Sequence, residues 1–136
     1  MNFKKLTVRV LVKKDYGACY DFYTQKLGLE AKWGGREGPY TSFGLPGEDE
    51  PFFAIFNMAN MSLMEGYTIP ADQPPADNIV GVIPSADLDG DYQRLKAAGV
   101  ELVGEPQTVE DWGMRLFCFR DTEGNLFEVN DSAGGV

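Results

Sequence analysis

The chain contains no histidine. It therefore lacks the imidazole on which zinc, iron, nickel and copper sites lean, and the common base for a serine or cysteine nucleophile. Cysteine is scarce too: two residues, Cys19 and Cys118, far apart and outside any CxxC pair. Cys19 sits in an apolar helical pattern and Cys118 in an apolar strand pattern, so both are expected to be small packing residues. Ser62, Ser85 and Ser132 stand in no GxSxG elbow. No GxGxxG follows a strand pattern, and no GxxxxGK[ST] occurs. Positive charge is in deficit, with 12 Lys and Arg against 21 Asp and Glu and a formal net charge of −9. Such a surface repels phosphate backbones and anionic lipid, so neither nucleic acid nor membrane is an expected partner, while cationic ligands are attracted. No run approaches the length of a membrane span, and "MNFKKLTVRV" has basic residues but no apolar signal core. A cytoplasmic protein is expected.

What is present is organised as a repeat. At 136 residues and 43% hydrophobic, the chain suits one domain, or two small intimate halves, with a real core. "LTVRVLV" reads as a strand. In "DYGACYDFYTQKL" the apolar Cys19, Phe22, Tyr23 and Leu27 recur at helical spacing, Asp15 can cap the start, and Gly28 ends the helix. "LEAKW", "YTSFGL" and "FFAIFNM" follow as strands, separated by the turn "GGREGP" and the loop "PGEDEP". The Pro- and Gly-bearing "GYTIPADQPPAD", residues 66–77, is the expected linker. Beyond it the order recurs: strand "NIVGVI", helix "DLDGDYQRLKAA" with Leu88, Tyr92 and Leu95 on one face and Gly99 at its end, then strands "VELVG", "MRLFCFR" and "NLFEV".

Each half thus reads β-α-β-β-β, with "KLGLE" at 26–30 echoed by "AAGVE" at 97–101. The expected fold is α+β. Two βαβββ modules, at about 1–65 and 78–131 within a single domain spanning 1–136, form a curved mixed sheet around a cleft. The helices are expected on the outer face. "FRDTEGNLFEVND", residues 119–131, reads as a tight hairpin whose second strand puts Glu128 on the face opposite Phe127 and Val129.

In this order and spacing, "FYTQKLGLE", "LKAAGVELVGEP" and "WGMRLFCFRDTEGNLFEV" resemble the vicinal oxygen chelate superfamily. That superfamily includes glyoxalase I, extradiol dioxygenases and bleomycin resistance proteins. The resemblance covers nearly the whole chain. It implies, for metal-dependent members, a divalent ion held by one side chain from the first and one from the last strand of each half. Glu128 matches the last of these positions. The others fall on Thr7 or Val8, on Asn78 or Val80, and on Ala54 or, in a slipped register, Asn57. A hard cation normally takes more than one carboxylate. No metal and no cofactor are therefore expected.

If Thr7 faces the cleft, alternation brings Arg9 and Leu11 there too. An arginine against apolar walls calls for an anion, and Glu128 is the candidate partner, unless Arg9 reaches water at an edge. Arg115, alternating with Phe117 and Phe119, is expected at the same cleft. Aromatics are dense, with nine Phe, six Tyr and two Trp. Trp112, in the loop "VEDWGM", is placed to stack on a planar ligand, whereas Trp33 is expected in core or rim packing. The expected ligand-binding set is Arg9, Phe43, Phe53, Trp112, Arg115, Phe117 and Glu128. Glu128 is also the candidate catalytic residue, as a general base. By resemblance to the bleomycin resistance proteins, the expected function is metal-independent binding of a small organic molecule, cationic or aromatic, in a homodimer cleft. The alternatives are a lyase or isomerase using Glu128 as base or in an atypical metal site, and a duplicated scaffold with protein–protein function only.

Overall fold

Alternation along the strands and one amphipathic helix per half are sufficient to build two similar sheets. The structure, a computed structural model, describes residues 2, 8–63, 79–110 and 113–132. Thr7, Asn78, Trp112 and the expected linker lie outside these. The chain divides into two units, Met1–Gln73 and Pro74–Val136.

In the first unit β1 (Val8–Val12) leads to α1 (Tyr16–Asp21), followed by β2 (Glu30–Trp33), β3 (Tyr40–Gly44) and β4 (Phe53–Asn57). The strands pair in the order β1-β4-β3-β2, with β1 parallel to β4 and the rest antiparallel. Asp15 caps α1, its carboxylate accepting from the Ala18 N–H at 3.0 Å. The expected helix then changes character. From Phe22 to Lys26 it widens into a π-helical turn, closed by the Leu27 N–H donating to the Phe22 carbonyl at 3.2 Å. Both aromatics of the wider turn are buried, Phe22 and Tyr23 being 3% and 0% exposed. Gly28, at φ 72°, ends it as expected.

The helical segment covers one face of its sheet. Tyr23 meets Phe43 and Phe53 at ring separations of 5.6 and 4.7 Å, and Tyr20 meets Phe43 at 5.8 Å. The buried Thr41 hydroxyl donates to the Gly35 carbonyl at 3.0 Å and shares a hydrogen bond of 2.6 Å with the Tyr16 hydroxyl. Thr41, Phe43, Phe53 and Ile55 therefore point to the helix. Their neighbours Tyr40, Ser42, Ala54 and Phe56 point away from it.

The second unit repeats the plan with β5 (Val80–Pro84), α2 (Leu88–Ala97), β6 (Glu101–Val109), β7 (Met114–Arg120) and β8 (Leu126–Asn130), paired in the order β5-β8-β7-β6. The Asp87 carboxylate caps α2 by accepting from the Gly90 N–H at 3.1 Å. Leu88, Tyr92 and Leu95 are its buried face, and Tyr92 meets Phe117 edge to face at 5.3 Å. The β7–β8 hairpin is tied by Asp121, which is 4% exposed and accepts from the N–H groups of Glu123 and Asn125. Among the described residues no helix is long and apolar enough to cross a membrane.

The α+β fold of two βαβββ modules is as expected, with one four-stranded mixed sheet in each unit. One expectation is corrected. The strand read as ending at Gly104 continues to Val109 through an irregularity between Val103 and Gln107. Gly104, at φ 78°, admits the bend, and Pro106 is tolerated because β6 is an edge strand.

Burial, more than any charge, raises the Tyr16 phenol above its ordinary pKa; Thr41 opposes the shift by hydrogen bonding. A raised folded-state pKa gives stability that is complete below the unfolded value of about 10 and lost as pH rises through the folded value. Tyr16→Phe should therefore flatten the alkaline decline in stability. At neutral pH it should cost about 1 kcal/mol, the net worth of one hydrogen bond, because Thr41 keeps its bond to Gly35. Urea unfolding of both proteins across the alkaline range checks the two effects together.

Candidate functional site

In the first unit the face turned from the helix carries Arg9 and Leu11 on β1. Arg9 stands in register with Ala54, and Ala54 with Ser42; Leu11 stands in register with Phe56, and Phe56 with Tyr40. Arg9 begins on the outer strand β1, yet its guanidinium lies 5.0 Å from the Phe56 ring centre on β4 and 5.2 Å from that of Tyr40 on β3. The side chain thus reaches from β1 to rings on β4 and β3, and its register partner Ala54 is small and fully buried. Phe56 and Tyr40 are 6.2 Å apart, and Trp33 continues the row at 5.6 Å from Tyr40.

Trp33 joins this face through a register shift. Ala31 stands opposite the helix-facing Phe43, but Trp33 stands opposite Ser42, with the irregularity between them. Strict alternation would have sent Trp33 to the side of Ala31. The extra residue turns it over, and its indole is left 66% exposed. Of the two positions expected for Trp33, core or rim, the structure gives the rim, edge-on against Tyr40. The one sequence signal was the "WGG" that follows the strand, since Gly34 takes φ 74°.

In the second unit Glu128 lies on the face turned from α2, as alternation predicts. Its strand neighbours are Val82 on β5 and Cys118 on β7. The fully buried Asn130 donates from Nδ2 to Glu128 Oε2 at 3.0 Å and accepts the Ser132 N–H on Oδ1. Burial, and then the Glu128 carboxylate, push the Cys118 thiol pKa up, and Arg120 opposes them. That thiol is held as a neutral packing group, unlike an activated nucleophile.

Other expected site residues lie elsewhere. Arg115 has the opposite parity to Cys118 and points towards α2, where its two terminal nitrogens reach Asp89 at 2.8 and 3.0 Å. It does not share the face of Glu128. The paired guanidinium holds the Asp89 carboxyl below its ordinary range, chiefly through the hydrogen bonds. Phe43 and Phe117, 0% and 1% exposed, are helix-facing core, and Phe53 packs with Phe43 and Tyr23. Arg9 makes no ion pair among the described residues; its described partners are the two rings.

Among the described residues, the superfamily-type metal positions offer one ligating side chain suited to an ion, Glu128. Among the described candidates, Val8 and Asn57 pair on the helix side, with Phe53 and Val12, and the Asn57 Oδ1 accepts the Ala59 N–H. Ala54 and Val80 offer no donor atom, which leaves Glu128. Among the described residues no group of three or more His, Cys, Asp or Glu is placed to hold a metal.

The Glu128–Asn130 bond gives a graded test. Glu128→Gln keeps an acceptor for Asn130 and should cost no more than about 1 kcal/mol. Glu128→Ala removes that acceptor altogether and should cost more, about 1–3 kcal/mol. Equal denaturation midpoints for the two variants would show that the bond does not hold the strand.

The sequence profile of the glyoxalase/bleomycin resistance protein/dioxygenase superfamily matches residues 5–129. The uncharacterized protein YetH of Bacillus subtilis (strain 168) is 32% identical over 127 residues, which span 92% of this chain and 95% of YetH. The uncharacterized protein YraH of the same organism is 27% identical over 93% of this chain and 96% of YraH. A crystal structure of a protein of unknown function from Agrobacterium tumefaciens str. C58 superposes with a TM-score of 0.70 at 26% identity, over 97% of this chain and 94% of that one. With the duplicated βαβββ plan and a match across nearly its full length, the chain belongs to the glyoxalase/bleomycin resistance protein/dioxygenase superfamily.

Proposed function

We propose that the protein binds a small aromatic compound without a metal ion, and that it does so as a homodimer. The observation that carries this reading is the row Trp33–Tyr40–Phe56 on the helix-free face of the first unit. An indole turned out of the core by a register shift, and left 66% exposed beside two further rings, supplies a stacking surface. Of the two ligand characters expected from sequence, cationic and aromatic, this face supports the aromatic one, since a guanidinium already lies over its rings. The lyase or isomerase reading rests on Glu128, on a helix-free face beside Val82 and Cys118. Among the described residues it offers one acid–base group with no second carboxylate placed beside it, and the chain has no imidazole, so binding is the better supported.

Calorimetric titration with 2-naphthol tests the reading. After treatment with EDTA the protein should still bind, and added zinc should leave the affinity unchanged. Trp33→Ala should weaken binding at least about tenfold, or about 1.4 kcal/mol. So exposed a residue should change folding stability by less than about 1 kcal/mol. An unaltered affinity in Trp33→Ala removes this face as the site.

The dimer is supported by the outer strand β5, where Ile79, Val80 and Val82 are 71%, 43% and 43% exposed. An apolar edge of this kind is matched by a second copy of itself under two-fold symmetry. Light scattering should give twice the mass of the chain, and Val82→Lys should halve it. A wild-type protein that remains monomeric at micromolar concentration would contradict the proposal.

A further inference from the structure

We infer that the ligand of the aromatic face is an anion, an aromatic ring bearing a carboxylate, and that Arg9 is the residue that selects it. The inference rests on the reading of that face as the binding surface and adds the charge of what is bound. Its basis is how the arginines are used. The chain has five, in a sequence of 21 acidic against 12 basic residues, where an acidic partner is the easiest thing for an arginine to find. Arg36 makes two bonds to Asp21 at 3.0 and 3.1 Å. Arg94 pairs with Asp87 and Asp91, and Arg115 with Asp89. Arg120 donates to the Gly124 carbonyl at 2.8 Å. Arg9 alone of the five has, among the described residues, neither carboxylate nor carbonyl, and rests on two rings.

That placement has a chemical consequence. Aromatic rings attract a guanidinium as a cation and supply no oxygen acceptor, so its five N–H donors remain to be satisfied by oxygen. The rings hold the group in place without consuming the donors, which is the preorganisation that two-pronged recognition of a carboxylate needs. Arg9 is exposed, so a ligand carboxylate can reach its donors. Tyr40 stands between the two functions, 5.2 Å from the Arg9 guanidinium and 5.6 Å from the Trp33 ring. One two-ring aromatic acid can therefore reach the charge at one end and the indole at the other. The overall charge of −9 disfavours such a ligand over most of the surface, and an arginine with no carboxylate partner among the described residues makes this face its preferred place.

Three isosteric probes test the inference on the intact protein by calorimetry: 2-naphthoate, 2-naphthamide and 2-naphthylmethylammonium. The expected order is naphthoate tightest, at least tenfold over naphthamide, with the ammonium weakest. Salt should weaken naphthoate and spare naphthamide. Arg9→Gln should bring the naphthoate and naphthamide affinities together. The ranking on the wild type already decides the question should that variant fold poorly. Equal affinities for the three probes, or an ammonium that binds tightest, overturn the inference while leaving an aromatic site in place. Absence of binding by all three, or a naphthamide affinity that Trp33→Ala leaves unchanged, overturns the underlying reading as well.

Discussion

The constraint on which everything else depends is that each sheet has its helix on one face. A strand residue then belongs to the core or to the free face according to parity alone. In the first unit Tyr20 and Tyr23 seat on Phe43 and Phe53, and this fixes the parity of β3 and β4. In the second unit Tyr92 on Phe117 does the same for β7. Once those contacts form, Arg9, Tyr40 and Phe56 on one sheet, and Cys118 and Glu128 on the other, have no choice of side. The candidate site is thus a by-product of core packing: what the helix does not cover remains for a ligand.

Much of this was legible in the sequence because it is local. Asp15 and the glycines Gly28 and Gly99 mark helix limits by cap chemistry and positive φ, which act within a turn. Asp121 and Gly124 mark the last hairpin in the same way. From that hairpin the parity of Glu128 followed correctly. The aromatic core residues Phe43, Phe53 and Phe117 were harder. Alternation states that Phe117 and Cys118 face opposite ways, but not which of them meets the helix. Nor does it show that Arg115, sharing the parity of Phe117, can lie over the edge of α2 and take Asp89 as its partner. Deciding that requires knowing where the helix lands, a non-local fact.

Trp33 shows the other kind of illegibility. Its side of the sheet depends on one extra residue between Ala31 and Trp33, and a register shift exchanges the faces of every residue beyond it. Composition gives no warning of such a shift beyond the glycines that follow. The π-helical turn after Asp21 is a comparable event in the helix, inserting one residue so that the adjacent Phe22 and Tyr23 are both buried. In both places a single-residue irregularity moves an aromatic ring to where regular geometry would not put it. One such move completes the core, and the other exposes a stacking surface.

Charge follows the same division of faces. The bidentate pairs Arg36–Asp21 and Arg115–Asp89 tie a strand or loop to a helical segment, and Arg94 braces the start of α2. These pairs are solvent-exposed, so each is worth little as stability, and their effect is to neutralise cations on the helix side. Arg9, on the helix-free face, is excluded from that arrangement by its parity and is held by rings instead. An acidic chain thereby retains one oriented cation at the place where its aromatic surface is exposed. The same alternation that buries Phe43 leaves that cation facing solvent, so the sign of charge that the face can recognise is set by the packing of the core.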